Sequence, residues 1–170
     1  MQTRPETISH DNIKRLSKVG LHRISFGMEH GNEEFRARVL DRRWKNADII
    51  EALKIPHQYG VQFSVNNITG FPDETRELAM DTVRINRKIE ADNANIYTFV
   101  PFHGTPLRKL CESKGLIAHE TITKCLTDTP VFEMEQYPVK EIMGLRKCFI
   151  LYTSFPENRW KDIEKAEPDT

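Results

Sequence analysis

Three strand-like runs, LHRISFG (21–27), VQFSVNN (61–67) and NANIYTFVPF (93–102), each end in a polar, glycine-bearing loop that leads into an amphipathic segment. Strands alternating with helices at this spacing build parallel βα units with right-handed crossovers. The predicted fold class is therefore α/β. Only three full strands are visible, whereas a parallel sheet is ordinarily covered on both faces and contains more. Part of the sheet is expected to lie outside these 170 residues.

Local signals place the helices. Ser9 caps HDNIKRLSKV, with Ile13, Leu16 and Val19 on one face and Gly20 as the stop. Asn32 caps NEEFRARVL, whose acids sit near the positive end of the helix dipole. Asn46 opens ADIIEALKIPHQYG, where Ile49, Ile50 and Leu53 form an apolar stripe and Pro56, lacking an N–H, bends or shortens the last turn. Thr75 or Asp73 caps RELAMDTVRINRKIEA, with Leu78, Ala79, Val83 and Ile89 inward, and LRKLCESKG stops at Gly115. After that the periodicity fails. LIAHETITKCLTDTPVFEMEQYP is expected to be mostly irregular, VKEIMGLRKCFILYTSF a helix closed by Pro156, ENRWKDIEKAE a last short helix, and the terminal PDT frayed. The expected division is residues 1–116 as the βα part and 117–170 as an extension, irregular then helical.

Charge narrows the partners. Lys plus Arg and Asp plus Glu both number 25, so the balance gives no electrostatic case for nucleic acid or an anionic membrane. No apolar run approaches the roughly 18 residues of a membrane span. The first residues lack the apolar core of a secretory signal, and a cytoplasmic protein is expected. Cys111, Cys125 and Cys148 are too widely spaced for a disulfide framework or a zinc site, and read as unrelated thiols, buried or on helix faces.

The strand ends carry the chemistry. GMEHG follows the first run, NNITGFPDET contains the end of the second and PFHGTP closes the third, with LDRR between the first two. In parallel βα folds ligands collect at the C-terminal ends of strands, where loops converge and helix N-termini point inward. These loops, in this order, resemble the radical S-adenosylmethionine (SAM) superfamily pattern "iGlEsG … R … iiGfPgET … PfpGTpl", particularly members that often carry a cobalamin-binding domain. The chain shows SFGMEHG (25–31), Arg42, NNITGFPDET (66–75) and FVPFHGTPL (99–107) in its place, and LYTSFPENRW is similar to the segment after the barrel.

The resemblance implies a partial (β/α) TIM-type barrel with consecutive parallel strands and outer helices, plus a helical extension. It begins where the third barrel strand ends, since QTRPET (2–7) resembles that strand's tail, and runs through the sixth. It also implies SAM as cofactor and a [4Fe–4S] cluster held by CxxxCxxC in full-length members, with cobalamin possible. CxxxCxxC is absent from the 170 residues, and the three distant cysteines do not substitute for one compact loop. A truncated piece, a partial gene and a split protein all fit.

The family pattern makes Glu29 an acceptor for the SAM ribose hydroxyls; the plainer roles are helix capping or pairing with a nearby arginine. Arg42 would grip the SAM carboxylate bidentately, although Arg43 stands beside it and a solvated arginine is the plain alternative. Of Asn66 and Asn67, one faces the barrel interior. If Phe63 and Val65 face the outer helices, Asn66 points inward with Ser64. Gly70, Phe71 and Pro72 would pass close to the adenine, as would the backbone of Val100, Pro101 and Phe102; a plain βα turn accounts for the first three equally. Asp73 and Glu74 read as helix N-terminal acids rather than catalysts, His103 and His30 as solvated loop groups with proton transfer or substrate contact as the alternative, and Trp44 and Trp160 as packing residues.

The expected function is the SAM-binding C-terminal half-barrel of a radical SAM enzyme, inactive as this chain alone and acting on an unknown substrate. The alternative is a non-catalytic module that pairs through open sheet edges with a second copy or with a separate N-terminal half of the barrel. An ordinary small α/β enzyme is disfavoured by the lack of a phosphate loop or nucleophile motif.

Overall fold

The computed structural model describes residues 1–123 and 125–169. Four strands, β1 (Gln2–Thr3), β2 (Arg23–Glu29), β3 (Gln62–Thr69) and β4 (Asn93–Thr98), lie in the order β1-β2-β3-β4. β1 runs parallel to β2 with Gln2 opposite Ser25, and β2 runs parallel to β3 with Ser25 opposite Ser64. The Asp92 N–H meets the Phe63 carbonyl and the Phe99 N–H meets the Thr69 carbonyl, so β4 runs in the same sense. The expected strand tail at QTRPET is the two-residue β1, followed by a 3-10 turn over Pro5–Thr7.

The helices are α1 (His10–Lys18), α2 (Glu33–Leu40), α3 (Asn46–Leu53), α4 (Ile55–Gln58), α5 (Arg76–Asn86), α6 (Pro106–Ser113), α7 (Val139–Ser154) and α8 (Trp160–Ala166). Ser9 and Asn32 accept the Asn12 and Phe35 N–H groups, and Thr75 rather than Asp73 accepts that of Leu78. Asp73 instead takes a left-handed backbone and pairs with Lys114 at 3.0 Å. The break between α3 and α4 falls at Lys54, two residues before Pro56, as the missing N–H requires. Among the described residues no helix is long and apolar enough to cross a membrane.

Two compact units partition the chain: Met1–Asn67 with Met80–Asn95, and Ile68–Ala79 with Ile96–Thr170. The first has its own core, in which Phe26 and Phe63 meet edge to face amid Ile24, Val65, Ile49 and Leu53. Leu53 is 2% exposed, so Leu53→Ala removes buried methyl groups from a site that collapses only in part. The expected loss is about 2–5 kcal/mol, read from the urea midpoint. In the same unit Ile13, Leu16 and Val19 share a face as expected, but that face lines an open groove of about 480 Å³ and Val19 is 81% exposed.

The second unit buries Phe71, Phe99 and Phe132, whose rings meet in sequence, together with Ile142, Leu145 and Phe149 of α7. Two expectations are corrected here. The terminal PDT is not simply frayed: Glu167–Asp169 form a 3-10 turn, and the Glu167 carboxylate accepts from Arg76 and from the Tyr152 hydroxyl at 2.7 Å. Thr170 lies outside the described residues. Cys125 is neither buried nor helical but exposed in a loop, and the Thr127 hydroxyl donating to its sulfur lowers its pKa. Cys111 and Cys148 are buried in α6 and α7, and burial pushes the Cys111 thiol up to about 11.

Candidate functional site

β2 ends in a distortion. Its pairing with β3 runs from Arg23 opposite Gln62 to Gly27 opposite Asn66, and then slips so that Glu29 stands opposite Asn67. The bulge leaves Glu29 at φ 71°, a left-handed conformation that costs a non-glycine residue about 1–2 kcal/mol. A strand bulge re-aims the side chain that follows it. Here the Glu29 carboxylate turns back over Gly27, where a Cβ would overlap Oε1. A side chain at Gly27 would push the Glu29 carboxylate out of this position.

Arg42 closes this arrangement. Its Nη1 donates to the Gly27 carbonyl at 2.7 Å and its Nη2 lies 3.2 Å from Glu29 Oε1, with both side chains about four-fifths shielded. Burial raises the Glu29 pKa, and Arg42 pulls the other way without restoring it. Glu29 therefore combines a strained backbone with a partly desolvated carboxylate. Arg43 pairs with Asp41 on the surface.

The alternation of β3 follows the sequence. Phe63, Val65 and Asn67 are buried on one face, while Ser64 and Asn66 are half-buried on the other. Asn66 donates to the Ser25 hydroxyl at 2.9 Å and accepts from the Asn95 side chain at 3.1 Å; Ser64 also donates to Ser25. The first unit thus carries Glu29 and Asn66 on the paired strands β2 and β3, with Arg42, from the segment between α2 and α3, held against Glu29.

In the second unit the loop after β3 is organised from within. Gly70 takes φ 86°, and Phe71 and Pro72 are buried, with the Phe71 ring 5.0 Å from that of Phe99. The Glu74 carboxylate, fully buried, accepts the N–H groups of Gly70 and Phe71 and the Thr69 hydroxyl. Read from sequence as a helix N-terminal acid, Glu74 is instead the anchor of its own loop. After β4, Val100 and Pro101 are buried and Phe102 is half exposed. Arg108, 3% exposed, donates to the Pro101, His119 and Thr121 carbonyls and to Glu112. His103 is exposed; His30 is buried, accepts the Asn32 N–H at Nδ1 and stacks on Phe35.

Sequence reading missed Arg36, Glu74 and Arg108. Each of the three strand-end loops is held by one of them: the His30 carbonyl by Arg36, Gly70 and Phe71 by Glu74, and Pro101 by Arg108. The available signal was a charge on an inward helix position, such as Arg108 one turn before the buried Cys111.

An acceptor-only carboxylate beside an amide carrying both donor and acceptor suits a vicinal diol and its neighbouring polar atoms. The cysteines do not fit an iron–sulfur cluster: Cys111 and Cys148 are enclosed in helices, and among the described residues no three His, Cys, Asp or Glu side chains group to hold a metal.

A parallel four-stranded sheet whose strands alternate with helices defines an α/β protein. Comparison with known proteins makes this specific. Residues 1–85 match the model of the Radical SAM superfamily. An uncharacterised methyltransferase of Pyrococcus horikoshii is 28% identical over 165 residues, covering 95% of this chain and 35% of the relative. A tRNA-2-methylthio-N(6)-dimethylallyladenosine synthase of Halalkalibacterium halodurans is 33% identical over 110 residues, covering 62% of this chain and 20% of the relative. The structure of the Escherichia coli radical SAM enzyme coproporphyrinogen III oxidase (HemN) matches with a TM-score of 0.64 at 17% identity, over 91% of this chain and 32% of that one. This chain belongs to the radical SAM superfamily, and its architecture is that of a partial TIM-type barrel. It spans about a third or less of the length of these relatives.

Proposed function

We propose that this chain supplies the SAM-binding wall of a cytoplasmic radical SAM enzyme. Glu29 accepts hydrogen bonds from the ribose hydroxyls, and Asn66 contacts the same nucleoside. Arg42 acts by holding Glu29 and the Gly27 carbonyl. The family motif assigns adenine contacts to Gly70, Phe71, Pro72, Val100, Pro101 and Phe102, and of these only Phe102 is exposed, so the adenine role is kept for Phe102 alone. When bound with a reduced [4Fe–4S] cluster, SAM supplies a 5′-deoxyadenosyl radical. The protein's part is to orient the nucleoside and exclude water. Lacking CxxxCxxC, the chain alone does not cleave SAM.

Glu29 carries the reading. A side chain held in a strained backbone, with a carboxylate under-solvated despite an arginine beside it, lowers stability in two ways. Such an arrangement points to a ligand. Glu29→Gln separates the two roles. Because burial raises the folded pKa of Glu29, the folded state binds more protons than the unfolded one above the ordinary carboxylate range. Stability from this group is then lost as pH rises through the folded pKa. Glu29→Gln should therefore raise the melting temperature at pH 7 and flatten its fall between acid and neutral pH, while SAM affinity by equilibrium dialysis falls at least about tenfold, or 1.4 kcal/mol. A less stable Gln variant with wild-type affinity would make Glu29 a structural partner of Arg42.

A second reading rests on the β1 edge and the open groove beside it, which includes Met1, Ile8, Leu16 and Val19. Unpaired edge groups favour pairing with another strand. In this reading the chain associates with itself or with a separate barrel segment bearing the cluster cysteines. Sedimentation as a strict monomer, unchanged on adding that segment, removes it.

A further inference from the structure

The apolar alternation on the helix-facing side of β3 breaks at Asn67, which is fully buried. A buried amide is costly unless its donors and acceptor are matched. Asn67 is matched by a second amide, Asn86 at the end of α5: Asn86 donates to Asn67 Oδ1 at 3.1 Å, and Asn67 donates to Asn86 Oδ1 at 3.3 Å and to the Asn95 carbonyl at 2.9 Å.

The pair is continuous with polar contacts on both sides. On one side Asn86 also donates to the Thr82 carbonyl at 2.7 Å, and the Thr82 hydroxyl accepts the Gly31 N–H at 2.9 Å. Gly31 lies two residues after Glu29, and a Cβ there would overlap the Asp81 carbonyl, so loop and helix touch backbone to backbone. On the other side the Asn95 side chain donates to Asn66, which donates to Ser25. The chain of bonds leaves the loop after Glu29, crosses the helix-facing side of the sheet and ends at Asn66.

We infer that Asn67, Asn86 and Thr82 are positioning residues that fix the Glu29 loop and the Asn66 amide relative to each other. The inference rests on the ligand reading of Glu29 and Asn66 above. Two apolar side chains would fill the same space, since replacing both members of a buried polar pair by apolar groups of similar shape is nearly neutral. What an apolar pair does not supply is a bond to the Asn95 and Thr82 carbonyls, which anchors the two residues whose side chains meet Asn66 and the Gly31 N–H.

The test uses the isotopically labelled 170-residue chain with the double variant Asn67→Leu/Asn86→Leu and the near-isosteric Thr82→Val. The double variant is expected to unfold cooperatively within a few degrees of the wild type. Its Asn66 side-chain amide resonances should nevertheless shift, and its SAM dissociation constant rise at least about tenfold. Thr82→Val, which removes the acceptor of a buried amide, should speed hydrogen exchange at Gly31 and weaken SAM likewise. Unmoved Asn66 resonances in a folded double variant, or unchanged Gly31 exchange in Thr82→Val, overturn the inference. Should the double variant not fold, Thr82→Val decides alone. If the wild-type chain binds no SAM, the ligand reading fails, while the resonance and exchange measurements still decide whether this network positions the two groups.

Discussion

Glu74→Ala is expected to lower the unfolding free energy by about 3–5 kcal/mol, close to the loss from removing one partner of a buried charged pair. The carboxylate is fully buried and accepts two backbone N–H groups, from Gly70 and Phe71, and the Thr69 hydroxyl. Truncation takes the acceptor from the Gly70 and Phe71 N–H groups, at about 1–3 kcal/mol for each unmatched group, while the Thr69 hydroxyl keeps Tyr137. Glu74→Gln keeps one acceptor oxygen but turns an NH2 toward N–H donors, so an intermediate loss is expected. Urea unfolding distinguishes these outcomes through the midpoint, with the slope unchanged if only the native state is affected. A loss below 1 kcal/mol for the alanine variant would remove Glu74 as the anchor of this loop.

Glu74 also marks the limit of what the sequence made legible. The alternation of strand and helix, the caps at Ser9 and Asn32, the break before Pro56 and the inward turn of Asn66 all follow from local rules of period, capping and pleat. Those rules act over a few residues and were sufficient. Glu74 looked like any acid before a helix because its partners are backbone groups, which carry no residue identity to read. The bulge after Gly27 was equally hidden. Nothing in SFGMEHG specifies a register slip, yet the slip turns Glu29 over Gly27 and under Arg42. The buried pair of Asn67 and Asn86 is separated by nineteen positions and needs the fold to bring it together. Family resemblance pointed to the loops; the groups that hold them became visible only with packing.

Those groups share a logic. A loop that must present backbone or acid to a ligand has few apolar contacts of its own, so its position has to be fixed by directional bonds from a rigid element. Arg36 does this for the loop after β2. It is 1% exposed and donates to the His30 carbonyl at 2.7 Å, to Asn46 Oδ1 at 2.9 Å and to the Trp44 carbonyl. Burial lowers its pKa, opposed chiefly by Glu33 and Glu6. Among the described residues its Nε and the Glu6 Oε2 have no hydrogen-bond partner, and both residues line one cavity of about 10 Å³. That is close to the smallest space able to hold one water.

Arg36→Ala is accordingly expected to cost about 3–5 kcal/mol, since it leaves a cavity and strands three acceptors at once. Arg36→Lys should recover only part, because a single ammonium does not reproduce a planar fork that serves three diverging oxygens. Arg36→Met, which keeps the bulk of the stem without the charge, should lose less than alanine. The decisive comparison is between stability and SAM affinity across the three. If Arg36 positions the Glu29 loop, Met should weaken SAM binding out of proportion to its loss of stability. If it only fills space, affinity in Met should equal that of the wild type once the unfolded fraction is removed.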